Sequence, residues 1–136
     1  MKTLILYYSY SGHTKALAKM QALSESADLA EIKDISPVGI VKAYTAGCIA
    51  ALRGKAWPIQ ALDADLNAYD RLALLSPVWA GNPPPAVNAA LELLPEGKAL
   101  TVKMVSASGR SKCRQRLEDA IKEKGCALEG FEDIQA

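Results

Sequence analysis

Residues 3–15 read TLILYYSYSGHTK. The segment opens as a nearly continuous apolar run, Thr3–Tyr8, of the kind found in a strand covered on both faces. It changes at Ser9 into hydroxyl, glycine and histidine chemistry. From Thr14 to Ser24 the apolar residues Leu17, Met20 and Leu23 recur at helical spacing, which predicts a helix with those side chains facing inward. A buried strand thus passes through a short polar turn into a helix. Two readings of that turn stand side by side. Ser9, Ser11 and Thr14 are preferred helix caps. The same hydroxyls, with Gly12 and the unpaired N–H groups of a helix start, also form a cradle suited to a phosphomonoester. A triphosphate would call for a G-x-x-x-x-G-K-[ST] loop, which is absent from the sequence. His13 is the sole histidine, and with no second acid or base nearby in sequence it is read as a loop donor and not as a catalyst.

The alternation continues along the chain. Asp28–Lys33 is a weaker, edge-like strand. Val38–Leu52 repeats Ile40, Val41, Tyr44, Cys48 and Leu52 at a helical period, with Gly47 in its middle. Gly54 and Pro58 punctuate an irregular connection to about Tyr69. Arg71–Ser76 is a buried strand, and a helix opens at Pro84 or Pro85 with Val87, Ala90, Leu91 and Leu94 inward. Ala99–Val105 is a fourth strand. Ser111–Lys124 is a charged helix with Cys113, Leu117, Ala120 and Ile121 inward, stopped at Gly125. Cys126–Ile134 holds a fifth strand. Strict β-α alternation implies a parallel sheet with right-handed crossovers and helices on both faces.

The bulk properties fit one soluble domain over residues 1–136, large enough for one core. The chain has 136 residues, half of them apolar, and a formal net charge of +1. No basic cluster of the kind a nucleic acid would require is evident. No run approaches the roughly 20 apolar residues of a membrane span, and the first residues do not resemble a signal peptide. Cys48, Cys113 and Cys126 are widely spaced and form no C-x-x-C pair, which suits free thiols in a reducing cytoplasm. With one histidine and scattered cysteines, a zinc site is not expected.

In parallel α/β sheets, ligands bind beyond the carboxyl ends of the strands, where strand order reverses. Three loops sit at such ends: 9–14, 77–84 and 106–111. The second, PVWAGNPPP, places Trp79 among small residues and prolines. That composition makes either a rigid apolar wall for a flat aromatic ligand or a tryptophan packed on the following helix. The third offers Ser106, Ser108, Gly109 and backbone amides, with Arg110 either facing a ligand or lying in solvent.

Together these segments resemble the short bacterial members of the flavodoxin family. SYSGHT at 9–14 is similar to that family's phosphate loop. YDRLALLSPVWAG at 69–81 is similar to its "YD-apolar strand-P-x-W-x-G" element, and GIVKAYTAGCIAALRGKAWPI at 39–59 to an insert between its second and third strands. The resemblance covers residues 1–131. It implies a flavodoxin-like three-layer α/β/α sandwich whose five-stranded parallel sheet has the order 2-1-3-4-5 and binds flavin mononucleotide (FMN). Carried over by position, Ser9, Tyr10, Ser11, Gly12, His13 and Thr14 would hold the phosphate. Pro77, Val78, Trp79, Ala80, Gly81 and Asn82 would line the isoalloxazine, and Ser106, Ala107, Ser108, Gly109 and Arg110 would close its other edge. The family usually ends in a further helix over one sheet face, whereas this sequence ends shortly after its fifth strand. The resemblance therefore implies bare apolar sheet, and a homodimer formed through it is expected.

Three roles follow. Residues 77–85 and 106–112 contain no Asp or Glu, and Arg110 and Lys112 lie among them. Such surroundings favour negative charge on a reduced ring. They point to an NAD(P)H-linked oxidoreductase acting on a small acceptor, in preference to a low-potential electron carrier working with a redox partner protein. The third role is a flavodoxin-fold interaction module without flavin.

Overall fold

The structure is a computed structural model and describes residues 2–136. Five strands alternate with helices: β1 (Thr3–Tyr7), β2 (Asp28–Glu31), β3 (Arg71–Pro77), β4 (Ala99–Ser106) and β5 (Ala127–Gln135). Every neighbouring pair is parallel, and the order is β2-β1-β3-β4-β5. This is the flavodoxin-like α/β topology that the sequence implies. The chain reverses direction across the sheet between β1 and β3, so their carboxyl ends flank a natural crevice. Leu4, Ile5 and Leu6 of β1 and Leu72, Leu74 and Leu75 of β3 are buried, as central strands covered on both faces require.

One sheet face carries α1 (His13–Glu25). The other carries α4 (Pro85–Glu92), α5 (Arg114–Glu123) and the helical segment 40–52. That segment comprises α2 (Ile40–Lys42), a π-helical turn (Ala43–Gly47) and α3 (Cys48–Leu52), with helical backbone angles at each junction. α4 opens with Pro85 at a position where its missing N–H costs nothing. Val87, Ala90, Leu91 and Leu94 are buried beneath it. Leu117 and Ile121 anchor α5, each stabilising the fold by about 1.5–3 kcal/mol through apolar burial.

Two stripes read from helical periodicity lie on the wrong face. In α1 the buried residues are Thr14, Ala18 and Ala22. Leu17 is only half-buried, and Met20 and Leu23 are exposed. In 40–52 the buried residues are Ala43, Gly47, Ala50 and Ala51, whereas Ile40, Val41, Tyr44 and Leu52 face solvent. Small side chains let these backbones approach their neighbours closely, and that approach overrides the larger apolar surface.

The sheet face expected to be bare and apolar is mixed in character. On the α1 face beyond β3, the register aligns Ala73 with Thr101 and Gly130, and Leu75 with Lys103 and Glu132. Thr101, Lys103 and Glu132 make the middle of this half polar, while Pro77, Val105 and Ile134 align at its carboxyl end. The Lys103 ammonium donates to Gln21 Oε1 of α1 at 2.9 Å, carrying its aliphatic stem across the sheet. Arg71 pairs with Glu129 at 3.1 Å.

Candidate functional site

The three loops at the strand ends meet around a cavity of about 530 Å³. Its floor comes from Pro77, Val78 and Val105, and one side from Tyr10, Ser11, His13 and Thr14. Ile40, Ala43, Tyr44 and Cys48 of the 40–52 segment form a roof. The volume falls within the usual range for small-molecule sites. A larger depression of about 810 Å³, between residues 56–67 and α4, is a more open surface hollow away from the strand ends.

On the first side, β1 ends and Gly12 takes φ +100°, a backbone angle suited to glycine, at the cap of α1. The Ser9 hydroxyl accepts the Gly12 N–H at 3.0 Å. It thus stays within the loop, and α1 has no side-chain cap bond and no acidic residue in its first turn. The capped-start reading is therefore not what the loop adopts. The N–H groups of the first turn, the buried Thr14 and the hydroxyl of Ser11 face an anion-favouring helix end beside the cavity. His13 begins the helix and lines the cavity, exposed.

Trp79 supplies the aromatic wall and is 9% exposed. A two-residue turn holds it: Trp79 N–H donates to Asn82 O at 2.8 Å and Asn82 N–H to Trp79 O at 3.0 Å. Between them Ala80 has φ +52° and Gly81 φ +82°. A positive φ at alanine is strained and persists only where its surroundings enforce it. The buried Asn82 side chain does so by donating from Nδ2 to Ala80 O at 3.0 Å. The tryptophan meets two tyrosines and the backbone of Gly47 in the preceding 40–52 segment, and it shares its core cluster with Ala86 and Val87 of α4, the helix that follows it. Tyr10 meets its ring edge-on at 5.5 Å and donates its hydroxyl to Val38 O at 2.9 Å. Tyr8 meets it at 6.1 Å and donates its hydroxyl to Asp34 at 2.5 Å. Burial first, and then the Asp34 carboxylate, raises the Tyr8 phenol well above its ordinary range.

The third loop contributes Ser106 and Ala107 to the lining, beside Ala136. Ser106 Oγ accepts the Gly109 N–H at 3.0 Å, and Ser108 Oγ accepts the Arg110 N–H at 3.3 Å. Ser108, Gly109 and Arg110 therefore shape the loop from outside the cavity, and Arg110 is exposed. Gly81 also lies outside the lining and accepts the Lys112 N–H at 2.7 Å. Of the residues anticipated from sequence, the cavity gathers Tyr10, Ser11, His13, Thr14, Pro77, Val78, Trp79, Ala80, Ser106 and Ala107. Ser9, Gly12, Gly81, Asn82, Ser108, Gly109 and Arg110 stand behind it. Tyr10 braces the tryptophan more directly than it addresses the helix start. Ile40, Ala43, Tyr44, Cys48, Val105 and Ala136 line it without a signal of their own in the sequence; Ile40, Tyr44 and Cys48 belong to a helical apolar period, which points to core. No Asp or Glu lines the cavity.

Neither a protein-family model nor a curated protein matches the sequence. Solved structures do. A flavoprotein from Lactobacillus acidophilus NCFM, in complex with FMN, is 27% identical with a TM-score of 0.76, over 96% of this chain and 91% of that one. Its apo-form is similar at a TM-score of 0.69, with 27% identity over 97% of this chain and 92% of that one. Oxidised flavodoxin 2 from Bacillus cereus shares the fold at a TM-score of 0.58, with 22% identity over 100% of this chain and 86% of that one. No helix among the described residues is long and apolar enough to cross a membrane. Strand order, crevice position and near-complete coverage by these structures give the chain a flavodoxin-like fold.

Proposed function

We propose that residues 1–136 form one flavodoxin-like domain that binds FMN in the cavity at the carboxyl ends of β1, β3 and β4. The observation that carries this reading is the pairing of two unlike walls across one crevice. A helix start without a side-chain cap, with Ser11 and buried Thr14, suits a phosphomonoester. Trp79, held by its turn and two tyrosines, suits a flat ring. The donors are neutral, matching a single phosphate, and the aromatic wall is preorganised. These residues fit the group.

When bound, FMN supplies hydride and electron transfer. The chain's own residues bind, orient and exclude water. Thr14, Ser11 and the first-turn amides of α1 would fix the phosphate end. Trp79 and Pro77 would set the plane of the ring, and Ile40 and Tyr44 would limit access from above. An acid-free lining leaves negative charge on a reduced ring unopposed by carboxylates. That supports an NAD(P)H-linked oxidoreductase in the cytoplasm, reducing a small acceptor. Arg110, exposed behind its loop, contributes less to this argument than its sequence position suggests.

A second reading, an electron carrier that docks a redox partner protein, rests on the exposed Ile40 and Tyr44 at the cavity and on Val41, Ile49 and Leu52, exposed on the same 40–52 segment. The same side chains offer a homodimer a more apolar surface than the sheet face does. Anaerobic NAD(P)H added to the FMN-loaded protein separates the redox roles. Direct bleaching of the flavin bands supports the oxidoreductase. Bleaching only when a separate reductase is added supports the carrier.

A further inference from the structure

The 40–52 segment departs from α-helix at Ala43–Gly47, where it widens into a π-helical turn. Such turns are uncommon and frequently accompany functional sites. Ala43 and Tyr44 of this turn line the cavity, and the buried Gly47 lies behind the lining, against Trp79. A Cβ placed on Gly47 would lie 2.7 Å from Cζ3 and 3.1 Å from Cε3 of Trp79. Gly47 has ordinary right-handed backbone angles, φ −64° and ψ −47°, so the glycine is not required by conformation. Alanine is the better helix former at such angles. What excludes a side chain here is foremost the tryptophan ring; the Lys42 carbonyl oxygen, 3.3 Å from that Cβ, crowds it less.

We infer that Gly47 is a positioning residue for the flavin site: its bare backbone is the bearing surface that fixes the plane of Trp79. The inference rests on the FMN reading for its functional consequence, though the contact itself does not. The ring is held on three sides, by Tyr8, by Tyr10 and by the glycine. Its backbone is pinned by the turn to Asn82. The ring also lines the cavity. A methyl group at 47 therefore drives the ring toward the space that the isoalloxazine would occupy, or lifts the roof away from it. Either movement spoils the match between wall and ligand. It also explains why 40–52 turns its small residues inward and leaves its large ones in solvent.

The test compares Gly47→Ala in two backgrounds. With Trp79 present, G47A weakens FMN binding by tenfold or more and lowers the melting temperature, opposite to the sign expected from helix propensity alone. With Trp79→Phe, whose smaller ring leaves room, adding G47A changes FMN affinity less than twofold. Equal losses in both backgrounds, or unchanged affinity in the first, overturn the inference. A flavin-independent arm uses Trp57→Phe, which leaves Trp79 as the only tryptophan. G47A then shifts the Trp79 fluorescence maximum and near-ultraviolet circular dichroism of the flavin-free protein while the far-ultraviolet spectrum persists. Unchanged Trp79 signals overturn the inference even if FMN does not bind the parent protein. Should G47A not fold alone, folding restored by W79F supports the contact, and failure to restore it counts against it.

Discussion

The helices beside the candidate site pack differently from those away from it. α4 and α5 bury large side chains: Val87, Leu91, Leu117 and Ile121. α1 and the 40–52 segment bury Ala18, Ala22, Ala43, Gly47 and Ala50, while Met20, Leu23, Ile40, Val41 and Tyr44 stay exposed. The first pair secures the core by area. The second pair gives up area for proximity, bringing one helix start to the cavity's side and a helical roof over its aromatic wall. Close backbone approach, not hydrophobic burial, organises this end of the molecule.

That contrast is tested first where its effect is largest. Leu117→Ala in α5 leaves a cavity in a close-packed interior and is expected to cost about 2–5 kcal/mol in urea unfolding. A loss below about 1 kcal/mol would mean that α5 is not held by area. Ala18→Leu in α1 is expected to destabilise by about 1–3 kcal/mol through overpacking. Leu23→Ala, on the same helix, is expected to stay within about 0.5 kcal/mol of the parent. The opposite ranking would restore the ordinary apolar stripe and sink the comparison.

Much of the fold was legible because the central strands are continuous apolar runs and the turns carry proline, glycine and serine. Arg71–Ser76 and Ala99–Val105 each fall one residue short of the observed β3 and β4. The helix start at Pro85 follows from proline's missing N–H. The three site loops were legible too, since polar residues and a tryptophan at strand ends have few structural duties. The roof was not. Periodicity reports where apolar residues recur, and in 40–52 they recur on the exposed face. Nothing local signals that Gly47 must meet Trp79, a residue far along the chain. The sequence places Tyr8 in the strand; its bracing of Trp79 and its bond to Asp34 depend on how β1 lies between β3 and β2. Arg110 drew attention as a charge near a ring, but the hydrogen bonds of its loop leave it outside the lining.

Smaller effects sharpen the account at the site itself. Thr14→Val keeps the shape of a buried side chain and removes its hydroxyl. It is expected to weaken FMN about tenfold, or roughly 1.4 kcal/mol, while leaving riboflavin, which has no phosphate, unaffected. Equal weakening of both ligands would place Thr14 at the ring instead of the phosphate. Tyr8 gives the smallest effect. Its folded-state pKa is raised, so its stabilising contribution is complete below the unfolded phenol's value near 10 and is lost as pH rises past it. Tyr8→Phe should flatten the fall in melting temperature above pH about 10. An unchanged slope would remove Tyr8 from the alkaline limb.

The central claim, that two unlike walls form one FMN site, is tested most directly by titrating FMN with the purified flavin-free protein. The account predicts saturable one-to-one quenching of FMN fluorescence, accompanied by quenching of Trp79 in the Trp57→Phe variant. FMN fluorescence unchanged by an excess of folded protein would contradict it.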